Sequence, residues 1–258
     1  MEILGPSGLT LVLHKPKGRV LSRLADLIDR SYSDGITTTV GSSFDAVVTP
    51  GPYSFVEVGS VAPEWNRVLK GDVLRMLMAI SAETLGDDFA FVLRCDQCGK
   101  PAEGEVKLSE LPLKALSKES AARVRRGDTF EATVAGHTFG FHLATFAQDV
   151  PVDKFRKQEG HKKRTELHGL TAQITKINGK LEPNIRKRYN FIADQLDVGE
   201  VYELRRLIDE VDCGVNTQVR GICVECGWVQ EDDLPFKGLL NPRKRKGAPT
   251  GEDDEAET

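Results

Sequence analysis

Four of the five cysteines stand in two Cys-x-x-Cys pairs, Cys95 with Cys98 and Cys223 with Cys226. A two-residue gap lets both thiolates of a pair bend onto one ion, and the glycine after each pair suits the tight turn of a zinc knuckle. Each pair supplies two ligands and a structural zinc takes four. The spacing therefore predicts one structural Zn²⁺ held by both pairs, which must meet in space although 124 residues separate Cys98 from Cys223.

Other chemistry is open to these thiols, although the sequence favours it less. Both pairs could be free thiols, or one could be a thioredoxin-like redox pair, but neither pair opens a helix after a buried strand. A catalytic zinc needs a position open to water, which four thiolates do not leave. Cys213 is left over, and we interpret it as a small half-buried residue rather than a fifth ligand. An odd cysteine number with paired spacing also argues against a secreted disulfide framework.

The elements that must position the thiols read as two similar hairpins. Strands are predicted at Phe89–Leu93 and Glu103–Leu108 around the first knuckle. A strand at Thr217–Ile222 and one ending near Leu234–Phe236 flank the second. A Leu-Pro dipeptide follows each unit, so the two segments form a weak internal repeat. Two such halves would close a four-cysteine ribbon between distant segments.

Hydrophobic periodicity predicts the remaining elements. Helices are expected over residues 17–31, 62–84, 118–126, 184–196 and 199–211, and a further helical pattern runs through Leu167, Leu170, Ile174 and Ile177. Hairpins are expected over 3–14 and 130–143, and an irregular loop or small hairpin over 33–61. The predicted fold class is α+β, with helices, short antiparallel sheets and the zinc ribbon.

The predicted elements divide the chain into five segments. They are an N-terminal hairpin and helix arm (1–60), the long helix, first knuckle and hairpin (61–150), a basic helical insertion (151–198), an acidic helix with the second knuckle (199–238) and a disordered tail (239–258).

Composition and charge argue against several classes of function. The chain has 258 residues, 40% of them hydrophobic and 29% charged, with a formal charge of −4. It has no apolar run near the roughly 20 residues that span a bilayer, and no leader pattern at the start, so we expect neither secretion nor membrane insertion. Residues 154–188 hold 11 Lys or Arg and three acids, whereas residues 194–212 hold seven acids and two arginines. Such opposed blocks favour an internal or subunit interface over nucleic acid.

The amino-acid sequence around the two knuckles resembles that of a known family. The string from Leu74 to Ser81 leads through Gly86 and Phe89 to the first knuckle and then to 108–112, and the acidic helix 201–212 leads to the second knuckle and Leu234–Pro235. This order is similar to baseplate proteins of contractile-tailed bacteriophages, the family related to the T-even phage baseplate hub assembly protein. The resemblance covers about residues 60–236.

The resemblance implies a virion tail baseplate protein that is present in the host cytoplasm during assembly. It implies no catalytic residues, so we expect a non-enzymatic structural or assembly protein. Hub and wedge proteins, and a tape-measure protein, are the expected partners, with oligomers formed through the baseplate. The long helix 62–84, the helix 199–211 and the stretch 154–188 are the candidate contact elements. The alternative function is a zinc-ribbon regulator that binds nucleic acid, and a zinc enzyme is a third, less favoured class.

Overall fold

The computed structural model describes residues 1–18 and 32–235, and within them the chain has the predicted α+β fold. The predicted helix over 17–31 falls almost wholly outside the described residues, and the predicted tail over 239–258 lies entirely outside them. The described helices are α1 Tyr32–Ser42, α2 Lys70–Leu85, α3 Lys118–Arg126, α4 Phe146–Gln158, α5 Glu166–Gln173, α6 Ile185–Gln195 and α7 Val198–Val211.

All described strand pairs are antiparallel. The strands are β1 Glu2–Leu4, β2 Leu9–Leu13, β3 Phe44–Pro50, β4 Asp88–Arg94, β5 Pro101–Lys107, β6 Leu113–Lys114, β7 Phe130–Val134, β8 His137–Phe141, β9 Ile174–Ile177, β10 Lys180–Leu181, β11 Gly214–Val215, β12 Gln218–Cys223 and β13 Val229–Asp233. They form sheets in the orders β1-β2-β3, β10-β9-β8-β7, β11-β6 and β13-β12-β5-β4.

The N-terminal sheet confirms the hairpin predicted over 3–14, but the loop predicted over 33–61 is wrong in its first half. Residues 32–42 form α1 and residues 44–50 form β3. Ile36 and Val40 are buried one helical turn apart, and the hydroxyl of Thr39 donates to the carbonyl oxygen of Gly35 at 2.8 Å. The apolar residues of this helix form only one narrow stripe among serines, threonines and glycines. Hydrophobic periodicity therefore does not predict the helix.

The central helix α2 starts at Lys70, eight residues later than predicted, so Pro63 does not lie in its first turn. Residues 61–69 instead form an irregular segment with a 3₁₀ turn at Trp65–Arg67. Nine residues of α2 are buried, among them Val73, Met76 and Ile80. A helix so enclosed belongs to the core, which removes most of it from the predicted contact elements.

Glycine at position 71 has a packing reason. A β-carbon there would lie 2.6 Å from the carbonyl oxygen of Cys213 and 2.7 Å from the Cα of Gly214. Gly71 therefore lets α2 approach the segment that follows α7, and this contact packs the C-terminal part of the chain against the core.

Several predicted elements are confirmed nearly to the residue. The helices over 118–126, 184–196 and 199–211 are α3, α6 and α7, and the hairpin over 130–143 is β7 with β8. The helical pattern through Ile174 and Ile177 is wrong at its end. Helix α5 stops at Gln173, and Ile174–Ile177 form β9, which pairs with β8.

Candidate metal centre

The two knuckles have the same backbone structure. The N–H of Cys95 donates to the carbonyl oxygen of Lys100 at 2.8 Å, and the N–H of Cys223 donates to that of Trp228 at 2.9 Å. In each knuckle the glycine N–H donates a hydrogen bond to the carbonyl oxygen of the first cysteine. Gly99 donates to Cys95, and Gly227 donates to Cys223. Both glycines have positive φ, 72° and 69°, a conformation that suits glycine. The repeat seen in the sequence is therefore a repeat of turn geometry.

One four-stranded sheet joins the knuckles. Strands β4 and β5 carry the first knuckle, and β12 and β13 carry the second. The two hairpins meet where β12 pairs with β5, with Ile222 opposite Glu103 and Cys223 opposite Ala102. Gly104 makes this junction possible, because a β-carbon there would lie 2.3 Å from the ring of Phe91 and 2.6 Å from the carbonyl oxygen of Arg220.

The sheet brings all four predicted cysteines together. The ligand sulfurs of Cys95, Cys98, Cys223 and Cys226 all lie within 4.8 Å of one another. Two of the sulfur–sulfur separations between the knuckles are 3.7 Å for Cys95–Cys226 and 3.5 Å for Cys98–Cys223. A disulfide needs about 2.05 Å. Four sulfurs at about 2.3 Å from a tetrahedral ion lie about 3.8 Å apart, so the spacing fits one metal ion.

Backbone amides point at the sulfurs. The N–H of Lys100 donates to the Cys98 sulfur, and the N–H of Trp228 donates to the Cys226 sulfur at the equivalent position. The N–H groups of Cys226 and Glu225 donate to the sulfur of Cys223 and lower the pKa of its thiol to about 6, whereas burial and the neighbouring cysteines raise the pKa of the Cys98 and Cys226 thiols. Amide donors stabilise thiolates, which are the metal-binding form of cysteine.

Gln230 links the hairpins, a role that the sequence did not reveal. Its side chain is buried, and its Nε2 donates to the carbonyl oxygen of Arg94 at 2.8 Å while its Oε1 accepts from the N–H of Asp96 at 3.0 Å. A residue of the second hairpin thus satisfies two backbone groups beside the first knuckle. Glutamine alone gives no sequence signal for such a bridge.

Cys213 lies away from the cluster. It is buried at the end of α7, beside Gly71, and burial raises the pKa of its thiol. This placement agrees with its interpretation as a packed residue.

The basic segment 154–188 is held partly by internal contacts. Arg164 and Lys70 both bind the carboxylate of Asp149, each at 2.6 Å, and Asp149 is buried. Arg186 binds Glu159, and the buried guanidinium of Arg188 donates to the carbonyl oxygen of Ile174. The exposed cations of this segment include Lys154, Lys157, Lys162, Lys163, Lys180 and Lys187.

Asp72 is a second buried carboxylate, and no motif in the sequence points to it. It accepts hydrogen bonds from the N–H of Ser7 at 2.9 Å, the hydroxyl of Ser7 at 2.5 Å and the hydroxyl of Tyr53 at 2.5 Å. Burial raises the pKa of Asp72. These bonds join the N-terminal sheet to α2, and we interpret them as structural because all three side chains are enclosed.

No helix in the described ranges 1–18 and 32–235 has both the length and the apolar character needed to cross a membrane. Comparison with protein-family models finds no matching family. Comparisons with curated proteins and with solved structures find no match either.

Proposed function

We propose that Cys95, Cys98, Cys223 and Cys226 hold one structural Zn²⁺. The supporting observation is the approach of four sulfurs to within 4.8 Å with amide donors at three of them. An all-sulfur tetrahedral set suits zinc, whereas magnesium and calcium prefer oxygen ligands. Bound there, the ion would supply structural cross-linking, because four thiolates leave no position for a reacting water.

The metal would stabilise a junction that is otherwise small. Two residue pairs join β12 to β5, the N–H of Val224 donates to the carbonyl oxygen of Pro101 at 3.3 Å, and Gln230 adds two hydrogen bonds across the same junction. Zinc binding to such sites contributes on the order of 10 kcal/mol. The ion would therefore fasten the two hairpins together and hold both ends of the intervening chain, residues 99–222, at one place.

We further propose that the chain is a non-enzymatic structural or assembly protein of a contractile phage tail baseplate. The support is the resemblance around both knuckles and the acidic helix. Hub, wedge and tape-measure proteins are the proposed partners, in the virion tail and in the host cytoplasm during assembly. Of the three candidate contact elements, we favour helix α7 as the partner-binding surface, since Tyr202, Glu203 and Glu210 on it are exposed.

Metal analysis tests the zinc proposal. Protein purified without added zinc should contain about one zinc per chain, and a Cys223→Ser, Cys226→Ser variant should contain none. Cys213→Ser is the matched control, because Cys213 lies outside the cluster, and it should keep the full zinc content. Folded wild-type protein without metal would refute the structural zinc.

Tail purification tests the proposed role. Inactivating the gene in the phage that encodes it should stop the production of complete tails. Mass spectrometry of tails from the intact phage would then separate a permanent component from an assembly factor that leaves. Normal tails without the protein would contradict the baseplate role. Binding to a DNA duplex that weakens steeply with added salt would favour the nucleic-acid regulator instead.

A further inference from the structure

A cavity of about 550 Å³ opens where four segments of the chain meet, and none of its lining residues belongs to the cysteine cluster or to α7. The segments lie within residues 53–55, 67–69, 124–128 and 142–148. Leu69 and Leu143 are buried in the wall, whereas Arg67, Arg125 and Arg126 are exposed. The cavity therefore has an apolar floor and three arginines at its rim. Small-molecule sites commonly have this size and combine apolar walls with a few polar groups.

Contacts with the protein hold two of the arginines in place. The guanidinium of Arg67 lies 4.4 Å from the centre of the Phe55 ring and binds Glu64 at 3.2 Å. Arg126 binds Asp128 through Nε at 2.7 Å and through Nη2 at 2.6 Å. Because a guanidinium has five N–H donors, each arginine keeps donors for a ligand. A cation that is already held loses less entropy when it binds an anion.

Arg125 and His142 have more unused binding capacity. Arg125 donates to the carbonyl oxygen of Gly51 at 2.8 Å, and it forms no ion pair with any carboxylate in residues 1–18 and 32–235. The imidazole of His142 has no hydrogen-bond partner in the same ranges. Burial lowers the pKa of His142, and the charge of Lys176 lowers it further, so the ring is neutral at pH 7. A neutral imidazole can donate one hydrogen bond to a ligand.

The cavity carries an excess of positive charge. The charged residues of its lining are Arg67, Arg125, Arg126 and Asp128, which leaves a net charge of +2 with His142 neutral. The described charged residues that flank this lining, contact it or share its neighbouring groove are balanced. They are the carboxylates of Glu57, Glu64, Asp72 and Asp149 and the cations of Lys70, Lys118, Arg123 and Lys176. A phosphate monoester, with a charge of about −1.5 to −2 at pH 7, matches the excess.

We propose that this cavity binds a small aromatic phosphate monoester, with the phosphate on the arginines and the aromatic ring against the apolar floor. Arginine binds phosphate through paired hydrogen bonds, and its planar guanidinium stacks on aromatic rings. Tyr53 and Phe55, whose ring centres lie 5.5 Å apart, supply aromatic surface in the same wall. The site is independent of the zinc cluster and of the baseplate role, so its absence would leave both in place.

Calorimetric titration of the full-length, zinc-loaded protein tests the site with four probes. Phenyl phosphate and adenosine monophosphate carry both chemical features, inorganic phosphate lacks the ring, and benzyl alcohol lacks the charge. At least one aromatic phosphate should bind saturably, one per chain, and about tenfold or more tighter than inorganic phosphate. Benzyl alcohol should show no saturable binding. The comparison of the two aromatic phosphates separates a single-ring ligand from a nucleotide.

Two variants and a matched control locate the binding. Arg125→Gln removes a charged donor and should weaken binding by about tenfold or more. Ser54→Glu places a carboxylate at an exposed position of the lining and should weaken it through repulsion, without removing any side-chain contact within the described residues. Arg220→Gln removes an exposed arginine outside the cavity and should bind as the wild type does. Thermal unfolding shows that each variant is folded.

Several results would overturn the site. They are no saturable binding of either aromatic phosphate, inorganic phosphate binding as tightly as the aromatic phosphates, and undiminished binding by folded Arg125→Gln and Ser54→Glu proteins. An equal loss in Arg220→Gln would also overturn it, since the binding would then reflect surface charge in general.

Discussion

The Nε2 atom of His168 lies 3.1 Å from the Nδ1 atom of His161. The backbone N–H of Thr165 donates to Nδ1 of His168, so that nitrogen is unprotonated and Nε2 carries the hydrogen. His168 therefore donates to His161 as a neutral ring. It is 1% exposed and shares its surroundings with Arg156, Arg164, Asp153 and the ring of Tyr189.

This pair predicts a loss of stability in mild acid. Burial, followed by the charges of His161 and Arg164, lowers the pKa of His168 in the folded protein. The unfolded chain then binds the proton more readily, so stability is full above about pH 6.5 and falls as the pH drops below it. Urea unfolding between about pH 7.5 and pH 5 measures the slope.

His168→Asn is the comparison for this prediction, because its Oδ1 can accept from Thr165 without titrating. The variant should lose stability at neutral pH and show a shallower pH dependence. Some dependence should persist through His142, whose pKa is also lowered by burial. An identical slope in both proteins would show that His168 does not contribute.

Asp149→Asn should destabilise the fold by about 3–5 kcal/mol, since breaking a buried ion pair leaves charge without its partner. Lys70 and Arg164 would both lose the carboxylate that joins the start of α2 to the basic segment. Denaturant unfolding measures the change. Glu64→Gln, which removes an exposed pair with Arg67, is the control and should cost at most about 1 kcal/mol. Equal effects would contradict the burial argument.

Gly71→Ala and Gly169→Ala should change stability in opposite directions. The first places a methyl group against the carbonyl of Cys213 and should cost about 1–3 kcal/mol. The second lies in α5, where the nearest atom is 3.8 Å away, and should gain roughly 0.5–1 kcal/mol through helix propensity. Thermal unfolding of both variants distinguishes them. Stabilisation by both would mean that α2 can move away from Cys213.

Arg188→Gln and Lys187→Gln separate folding from surface charge in the basic segment. Arg188 is buried and donates to Ile174, so its loss should cost about 1–3 kcal/mol. Lys187 is exposed, and its replacement should stay within about 0.5 kcal/mol. The comparison is made by urea unfolding. A neutral Arg188→Gln would return that side chain to the list of candidate partner contacts.

The cysteine cluster could be predicted because ligand number and spacing obey strict geometry. Each cysteine pair supplies two of the four ligands that a structural zinc takes, so the two pairs must meet in space whatever sequence lies between them. Strong, regular periodicity likewise gave α3, α6 and α7. The start of α2 could not be read, because Val68 and Leu69 are buried in an irregular segment and continue the apolar pattern beyond the helix.

The remaining differences come from tertiary contacts. Ile174 and Ile177 fit a helix by spacing, but β8 offers an open edge that draws them into a sheet. In the sequence Arg188 resembles a surface cation, but in the structure its guanidinium donates to the carbonyl oxygen of Ile174. No local sequence pattern marks Gln230 as the residue that bridges the two hairpins. Each depends on a neighbour distant in sequence, which periodicity cannot supply.

The pairing of β12 with β5 also sets an order in time. During synthesis the first hairpin leaves the ribosome with Cys95 and Cys98, and its strand partner follows only after more than 100 residues. At about 5–20 residues per second, that delay is roughly 5–25 s. Throughout it, two thiols and the open edge of β5 are accessible to oxidants and to other nascent chains. The newly synthesised chain is therefore most exposed to thiol oxidation and to incorrect strand pairing in the half that is translated first.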